Sequence, residues 1–205
     1  MNVRFLAAGV VTLGLALGST ACGDDSKDAA STTSPETSTS ASATMTGAAS
    51  QTFGAGCAAV PTSGTGSFEG MAADPVATAA SHNPLLSTLV AAVQKAGLVD
   101  TLNSADGITV FAPTNDAFAK IPKKDLDAVL ADKKKLTSIL TYHVVPGKKA
   151  PADLASGSFK TLQGGMVTTK GSDASYTVND AQVICGNVPT GNATVYIVDT
   201  VLMPK

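Results

Sequence analysis

Residues 108–122 read ITVFAPTNDAFAKIP, and this stretch decides the fold. Its first half alternates as a strand does, with Ile108 and Val110 on one face and Phe111 on the other. Pro113 cannot donate a hydrogen bond to a neighbouring strand, so we expect the strand to end there. The pattern predicts a strand that is buried on at least one face.

A short helix is predicted to follow this strand directly. Thr114 is a good cap for the first turn, and we expect Asn115 to help satisfy the free amides there. Phe118 and Ile121 form the apolar stripe, so Phe111 and Phe118 are predicted to fix the sheet to the helix. The turn contains no Ser, Cys or His and no glycine-rich phosphate loop, which favours a structural corner over an active site.

The composition argues against a nucleic-acid partner. The chain has 205 residues and a formal net charge of −2, and only 15% of its residues are charged. Its single arginine, Arg4, lies in the N-terminal segment. The rest of the chain therefore lacks the bidentate donor that suits base edges and phosphates, and we expect no nucleic-acid binding.

The N-terminal segment is typical of an export signal. The apolar run from Phe5 to Gly18 is short for a membrane span and suits the core of a signal peptide. Small residues lead from it to Cys22, which resembles the lipidated cysteine of bacterial lipoproteins, although Ser19 stands where such signals usually carry Leu. We predict a signal peptide over residues 1–21 and a lipid on Cys22. The alternative is ordinary secretion, with Cys22 merely near the cleavage point.

A polar segment separates this signal from the rest of the chain. Ser and Thr make up thirteen of the residues from 31 to 52, and no apolar periodicity is present to offset the entropy of ordering them. We therefore predict a disordered tether over residues 22–56 and a folded domain over residues 57–205. The protein would then be anchored at the outer face of the cytoplasmic membrane or cell surface, with a shed fraction. Whether the tether carries O-linked sugars stays open.

Cysteine usage predicts one disulfide bond. Three cysteines are an odd number for an exported chain, but a lipidated Cys22 leaves Cys57 and Cys185 in an oxidising compartment. We predict that these two pair; the alternative is two free thiols. Two cysteines and two scattered histidines do not suit zinc, so we expect no metal site and no cofactor.

Helical and then strand patterns fill the remaining chain. Apolar residues recur at helical spacing from Pro84 to Ala96 and from Asp132 to about His143, with a short helix predicted between Asp125 and Ala131. After Gly147 the period changes to two. This change predicts five short strands: Phe159–Leu162, Met166–Thr169, Ser175–Val178, Gln182–Cys185 and Thr194–Leu202.

The pair Tyr142-His143 ends the helix that begins at Asp132. By periodicity His143 belongs to the buried face, where a lone histidine is more often a hydrogen-bonded core residue than a base or a ligand. Our hypothesis is structural: His143 bonds a neighbouring group, and its loss loosens the domain.

Three motifs in this chain together resemble the fasciclin domain. Residues 109–118 are similar to the family's first signature, roughly TVFAPTNxAF, Tyr142-His143 to its Tyr-His element, and residues 197–204 to its second signature. The resemblance covers about residues 70–204. It implies an α+β fold, with a wedge-shaped sheet of about seven strands and packed helices. It also implies a structural role for the motif residues Phe111, Thr114, Asn115 and Phe118.

The same resemblance implies a function in adhesion. In the fasciclin family the Tyr-His region is associated with adhesion and with domain integrity. The flanking sequences also resemble the secreted and surface-lipoprotein fasciclin antigens of mycobacteria. We therefore expect a non-catalytic adhesion or interaction module with a protein, matrix or envelope partner, tethered to the membrane through its lipid, and we favour a monomer.

Two other functions are weighed against adhesion. One is a carrier of an apolar envelope ligand in a pocket between helices and sheet, which a deep apolar cavity would favour. The other is a hydrolase, which is disfavoured because the chain has no GxSxG elbow and no metal-ligand cluster.

Overall fold

The computed structural model describes residues 51–204, which belong to one compact unit. The predicted signal peptide, the predicted lipid site at Cys22 and the part of the predicted tether before residue 51 lie outside the described residues. Among residues 51–204, no helix has both the length and the apolar character that a bilayer crossing requires.

Helices dominate the first half of this unit. The α-helices are α1 (Phe68–Ala73), α2 (Val76–Ser81), α3 (Ser87–Ala96), α4 (Val99–Ser104), α5 (Asn115–Ala119), α6 (Lys123–Ala131), α7 (Lys133–Tyr142) and α8 (Pro151–Leu154). Two short 3-10 helices, Ala55–Ala59 and Pro84–Leu86, precede α1 and α3.

Local sequence signals set several of these helix ends. The Asp132 carboxylate accepts hydrogen bonds from the backbone N–H groups of Lys134 and Lys135, at 3.0 and 3.2 Å, and so caps α7, the helix predicted to begin at Asp132. Gly97 adopts a left-handed conformation with φ 72° and ends α3. The helix predicted from Pro84 is divided, because its first three residues form the 3-10 turn.

Seven strands form one sheet. They are β1 (Ile108–Pro113), β2 (Val144–Pro146), β3 (Ser156–Lys160), β4 (Met166–Ser172), β5 (Ser175–Val178), β6 (Ala181–Pro189) and β7 (Ala193–Val198). Their order is β2-β1-β7-β6-β5-β4-β3, and β1 pairs with β7 in parallel while the other neighbours are antiparallel. The predicted α+β fold with about seven strands is confirmed.

The sheet curls until its two edges meet. The Leu162 N–H, just after edge strand β3, donates to the Val144 carbonyl of the other edge strand at 2.8 Å. The curl gives the sheet two buried faces and therefore two hydrophobic clusters. One lies between the helices and the outside of the sheet, and the other lies inside the curl.

The first strand contributes to both clusters. Ile108, Val110 and Ala112 face the helices, and Phe111 faces the inside of the curl, where its ring lies 6.0 Å from that of Tyr196. The prediction that Phe111 and Phe118 together fix sheet to helix is therefore wrong for Phe111. Phe118 belongs to the helix-side cluster, whereas Phe111 fills the interior of the sheet.

Several strand predictions needed correction. The three-residue strand β2 was not predicted, because Val144–Pro146 is too short to show a period. The strand predicted at Phe159–Leu162 lies at Ser156–Lys160, where it pairs with β4 from Ser156↔Lys170 to Lys160↔Met166. The last strand stops at Val198.

The folded part begins before Cys57, so the predicted end of the tether at residue 56 is wrong. Phe53 forms a β-bridge with Gly186, and its ring packs 5.0 Å from that of Tyr176. Cys57 then forms a disulfide bond with Cys185 of β6, the pairing that cysteine usage predicts. The first residues of the domain are thus held by both an aromatic contact and a covalent bond.

Candidate interaction site

The strand–helix corner positions α5 and, through it, the start of α3. The Thr114 hydroxyl accepts from the Ala117 N–H at 3.2 Å, the cap expected from the sequence. Asn115 does not cap its own helix. Its side chain instead accepts from the Thr88 N–H and donates to the Pro84 carbonyl, both at 2.9 Å. It therefore joins α5 to the beginning of α3.

His143 is buried and makes a hydrogen bond with each ring nitrogen. Its Nε2 accepts from the Leu202 N–H at 2.9 Å, and its Nδ1 lies 2.8 Å from the Ile139 carbonyl. A carbonyl cannot donate, so the proton is on Nδ1 and the ring is neutral. Burial lowers the pKa of His143 to about 4, against the opposing effect of the Ile139 hydrogen bond. These contacts suit the structural role expected of His143; the effect of losing it stays a prediction.

Tyr142 connects the same helix end to the far side of the sheet. Its hydroxyl donates to the Met166 carbonyl at 2.7 Å and accepts from the Asn179 amide at 3.2 Å. The side-chain oxygen of Asn179, Oδ1, accepts in turn from the Thr168 N–H at 2.9 Å. Asn179 has a positive φ of 52°, which Asn tolerates better than most residues. Tyr142 therefore ties α7 to the turn between β5 and β6.

A groove of about 420 Å³ lies directly beside the Tyr142 network. Its lining is mostly polar and comes from α7, the β3–β4 loop, β4, the β5–β6 turn and the C-terminal segment. The lining residues are Tyr142, Gln163, Gly165, Met166, Thr168, Lys170, Asn179, Asp180 and Pro204. Tyr142 lines this groove although it is only 4% exposed, whereas His143, which is also buried, does not line it.

Three lining residues of this groove are free to meet a partner. Lys170 and Asp180 are exposed and form no ion pair within residues 51–204. Met166 is 53% exposed, which is high for a large apolar side chain. A groove with one charge of each sign and an exposed thioether can bind a protein segment, because Met adapts its shape to varied partners.

Asp199, in the second signature, has a structural role. Its carboxylate accepts from the Gln182 N–H at 2.8 Å and from Lys120 at 2.9 Å. Although partial burial acts in the opposite direction, the hydrogen bonds from Lys120, Gln182 and Thr200 and the Lys120 charge hold the pKa of Asp199 below its usual value. The Asp199 carboxylate thus caps the Gln182 amide at the start of β6. Among the described residues, no group of three His, Cys, Asp or Glu side chains could hold a metal ion.

A family model for the fasciclin domain matches residues 84–204, more than half of the chain. The chain belongs to the fasciclin domain family. Its first signature spans β1 and α5, and its second begins at the last two residues of β7, the strand that pairs with β1 in this fasciclin domain. In the Tyr-His element, Tyr142 is the last residue of α7 and His143 is its C-cap.

Mycobacterial proteins are similar over much or all of the fasciclin chain. It is 44% identical to the cell surface glycolipoprotein MPB83 of Mycobacterium bovis and to MPT83 of Mycobacterium tuberculosis. These alignments cover 100% of this chain and 98% of each relative. It is 50% identical to the immunogenic protein MPB70 of Mycobacterium bovis over 77% of this chain and 84% of that protein.

One solved structure supports the fasciclin fold. A FAS1 domain pair from the insect cell adhesion molecule Fasciclin I is similar with a TM-score of 0.50 and 24% identity. The match covers 58% of this chain and 45% of that chain, so this protein spans less than half the length of the pair.

Two asparagines that matter in the structure were not singled out from the sequence. Asn179 follows directly after a predicted strand, and an Asn–Asp pair between two strands is a signal for a turn with a positive φ. Asn192 is 9% exposed and donates to the carbonyls of Leu102, Asn103 and Ala105, while it accepts from the Val76 N–H at 2.8 Å. No local pattern indicates these long-range partners.

Proposed function

We propose that this protein is a non-catalytic interaction module at the cell surface. It would bind a protein, matrix or envelope partner through the groove beside Tyr142. The groove carries the proposal, because it combines an exposed Met166 with two charges that are unpaired among the described residues. The names of the mycobacterial relatives support a surface location, and the insect neighbour comes from a cell adhesion molecule.

The predicted lipid on Cys22 would hold the chain at the outer face of the membrane. A polar segment between Cys22 and the domain would then place the groove away from the lipid surface. Mass spectrometry of the mature N-terminus tests this part directly: acyl chains on Cys22 support it, and an unmodified terminus contradicts it.

The interaction role is tested with the exported full-length chain carrying C22S, so that no lipid of its own contributes to binding. Binding to a panel of purified matrix proteins and to fractionated envelope extract is measured by surface plasmon resonance. The groove variants are Met166→Ser, Lys170→Glu and Asp180→Lys. Lys95→Glu on α3 is the matched surface control, and a reduced sample controls for the disulfide.

A groove variant should lose at least about tenfold in affinity while its melting temperature stays unchanged, because an exposed interface contact adds little to folding. K95E should bind like the unmodified protein. The proposal fails if no panel component binds, or if all three groove variants bind as well as K95E does.

A second function, a carrier of an apolar ligand, is favoured by one specific observation. The helices and the sheet line an apolar cavity of about 160 Å³ on the side of the sheet opposite to the curl.

A further inference from the structure

The apolar cavity lies inside the helix-side cluster. Side chains of α1, α2 and α3 cover one side of it, and β1, β6 and β7 form the other. Protein interiors seldom contain voids much larger than a water molecule. A void of about 160 Å³ is comparable to an engineered core cavity that stays dry and binds benzene. Its size therefore suits a ligand rather than a packing defect.

The cavity reaches the surface between α2 and α3. Ser81, at the end of α2, and Gln94, on α3, both line it and are both exposed. Val90, which lies one helical turn before Gln94, also lines it and is half-buried. A small molecule can thus enter between the two helices without the sheet opening.

One buried polar group lines this cavity with spare hydrogen-bonding capacity. Asn83 is 1% exposed, and its side-chain oxygen, Oδ1, accepts from the Leu85 N–H at 3.0 Å. Its NH₂ group has two donors, and within residues 51–204 its hydrogen-bond partner is the Met71 sulfur at 3.8 Å. A thioether is a weak acceptor, so the amide is poorly satisfied, whereas buried amides are normally well paired.

We propose that this cavity binds the end of an alkyl chain that carries a carbonyl oxygen, such as an ester or a fatty acyl group. The volume admits about six carbons, by comparison with the benzene-sized cavity, so it takes the acyl chain while the alcohol part of an ester lies at the opening between α2 and α3. The apolar walls select the alkyl part, and the Asn83 NH₂ group donates to the carbonyl oxygen. This proposal rests on the carrier function and not on the groove beside Tyr142.

Two probes separate the apolar and polar parts of the site: benzene, and the ester methyl hexanoate. Each is titrated into the exported full-length chain carrying C22S, and methyl-group chemical shifts are followed by NMR. Val93 is 7% exposed, lies on α3 and lines the cavity, so Val93→Phe should fill it. Ala91→Phe places the same ring on an exposed position of α3 that does not line the cavity, and it is the matched control.

Both probes should bind saturably to the unmodified protein and to A91F. Their affinity for V93F should be at least about tenfold lower. Asn83→Asp keeps the oxygen that caps Leu85 and removes the NH₂ donor. It should therefore weaken the binding of methyl hexanoate about three- to tenfold more than the binding of benzene, because only the ester loses a hydrogen bond. If V93F fails to fold, Ala79→Val adds a smaller group to the same cavity.

The proposal is overturned if neither probe binds saturably, or if the cavity-filling variant binds both as A91F does. Equal effects of N83D on the two probes would refute the role of Asn83. The groove variant K170E should bind both probes like the unmodified chain. A failure of the cavity proposal and a failure of the interaction role are therefore told apart.

Discussion

The buried neutral His143 should make the domain lose stability as the pH falls from 7 to 4. The pKa of His143 is lowered from 6.5 to about 4 in the folded protein, mainly by burial. Between these values the unfolded chain binds a proton that the folded chain does not. Stability therefore rises with pH across this window and is lost on acidification.

The size of this effect follows from the two pKa values. Linkage with a shift from 6.5 to about 4 gives a loss of about 2 kcal/mol between pH 7 and pH 5, and about 3 kcal/mol by pH 4. Asp199 acts in a lower range. The pKa of its carboxyl is depressed, so its contribution is present above the ordinary value of 3.8 and is lost only below it.

Urea unfolding of the exported chain carrying C22S at pH 5, 6 and 7 measures the slope of the free energy of unfolding against pH. His143→Gln removes the titrating group, and its amide can still donate to Ile139 and accept from Leu202. H143Q should be less stable at pH 7 but should lose most of the pH dependence. His82→Gln removes the chain's other histidine, which is exposed and lies 3.2 Å from the Asp74 carboxylate, and is the control for losing a histidine elsewhere.

Equal slopes in H143Q and the unmodified protein would refute this reasoning. So would a folded-state NMR titration of the His143 ring with a midpoint near 6.5. Unchanged stability of H143Q at pH 7 together with lost partner binding would assign His143 to recognition instead of folding.

Three further predictions concern stability, each measured by urea unfolding. Phe111→Ala should cost about 3–5 kcal/mol, because its ring is fully buried against Tyr196; a stable variant that selectively loses partner binding would contradict this. Reduction of the Cys57–Cys185 bond, which spans 128 residues, should cost about 4–5 kcal/mol in the chain-entropy model, and an unchanged midpoint would be inconsistent with it. Asn192→Ala leaves several buried backbone groups unpaired and should cost at least about 2 kcal/mol; a loss below about 0.5 kcal/mol would show that water replaces the amide.

Local signals in the sequence predicted much of the fold. A Thr before a short apolar stripe, an Asp before a lysine-rich helix and a Gly after α3 each mark a helix end through bonds made within a few residues. The structure contains the predicted Thr114 cap, and it also contains the Asp132 cap and the left-handed Gly97. These features are readable because their partners are close in the chain.

Features that depend on the curl of the sheet were not predictable in the same way. Strand alternation correctly separated Phe111 from Ile108 and Val110. It could not show that both faces of β1 are buried, because the second face is covered only when the distant edges of the sheet meet. Phe53 was assigned to the tether for a related reason. It is a single aromatic residue in a polar segment, and its partners lie more than a hundred residues away.

The candidate sites were predictable only in part. The sequence indicated that Tyr142-His143 matters and that His143 is buried. It gave no sign that Tyr142 bonds Asn179, since 37 residues separate them, or that a groove opens beside this pair. The cavity likewise depends on how well side chains from many helices and strands fill a shared space, which no periodic pattern records.

The position of the two signature motifs explains why they identify the family without indicating the binding surface. Strands β1 and β7 are the parallel pair of the described sheet, second and third in its strand order, with Phe111 opposite Tyr196. Every residue of β1 is buried, and β7 is nearly so. Such a pair fixes the fold but presents little to a partner. The two proposed sites therefore draw most of their lining from outside β1 and β7: the groove from β4 and the β5–β6 turn, and the cavity from α2 and α3.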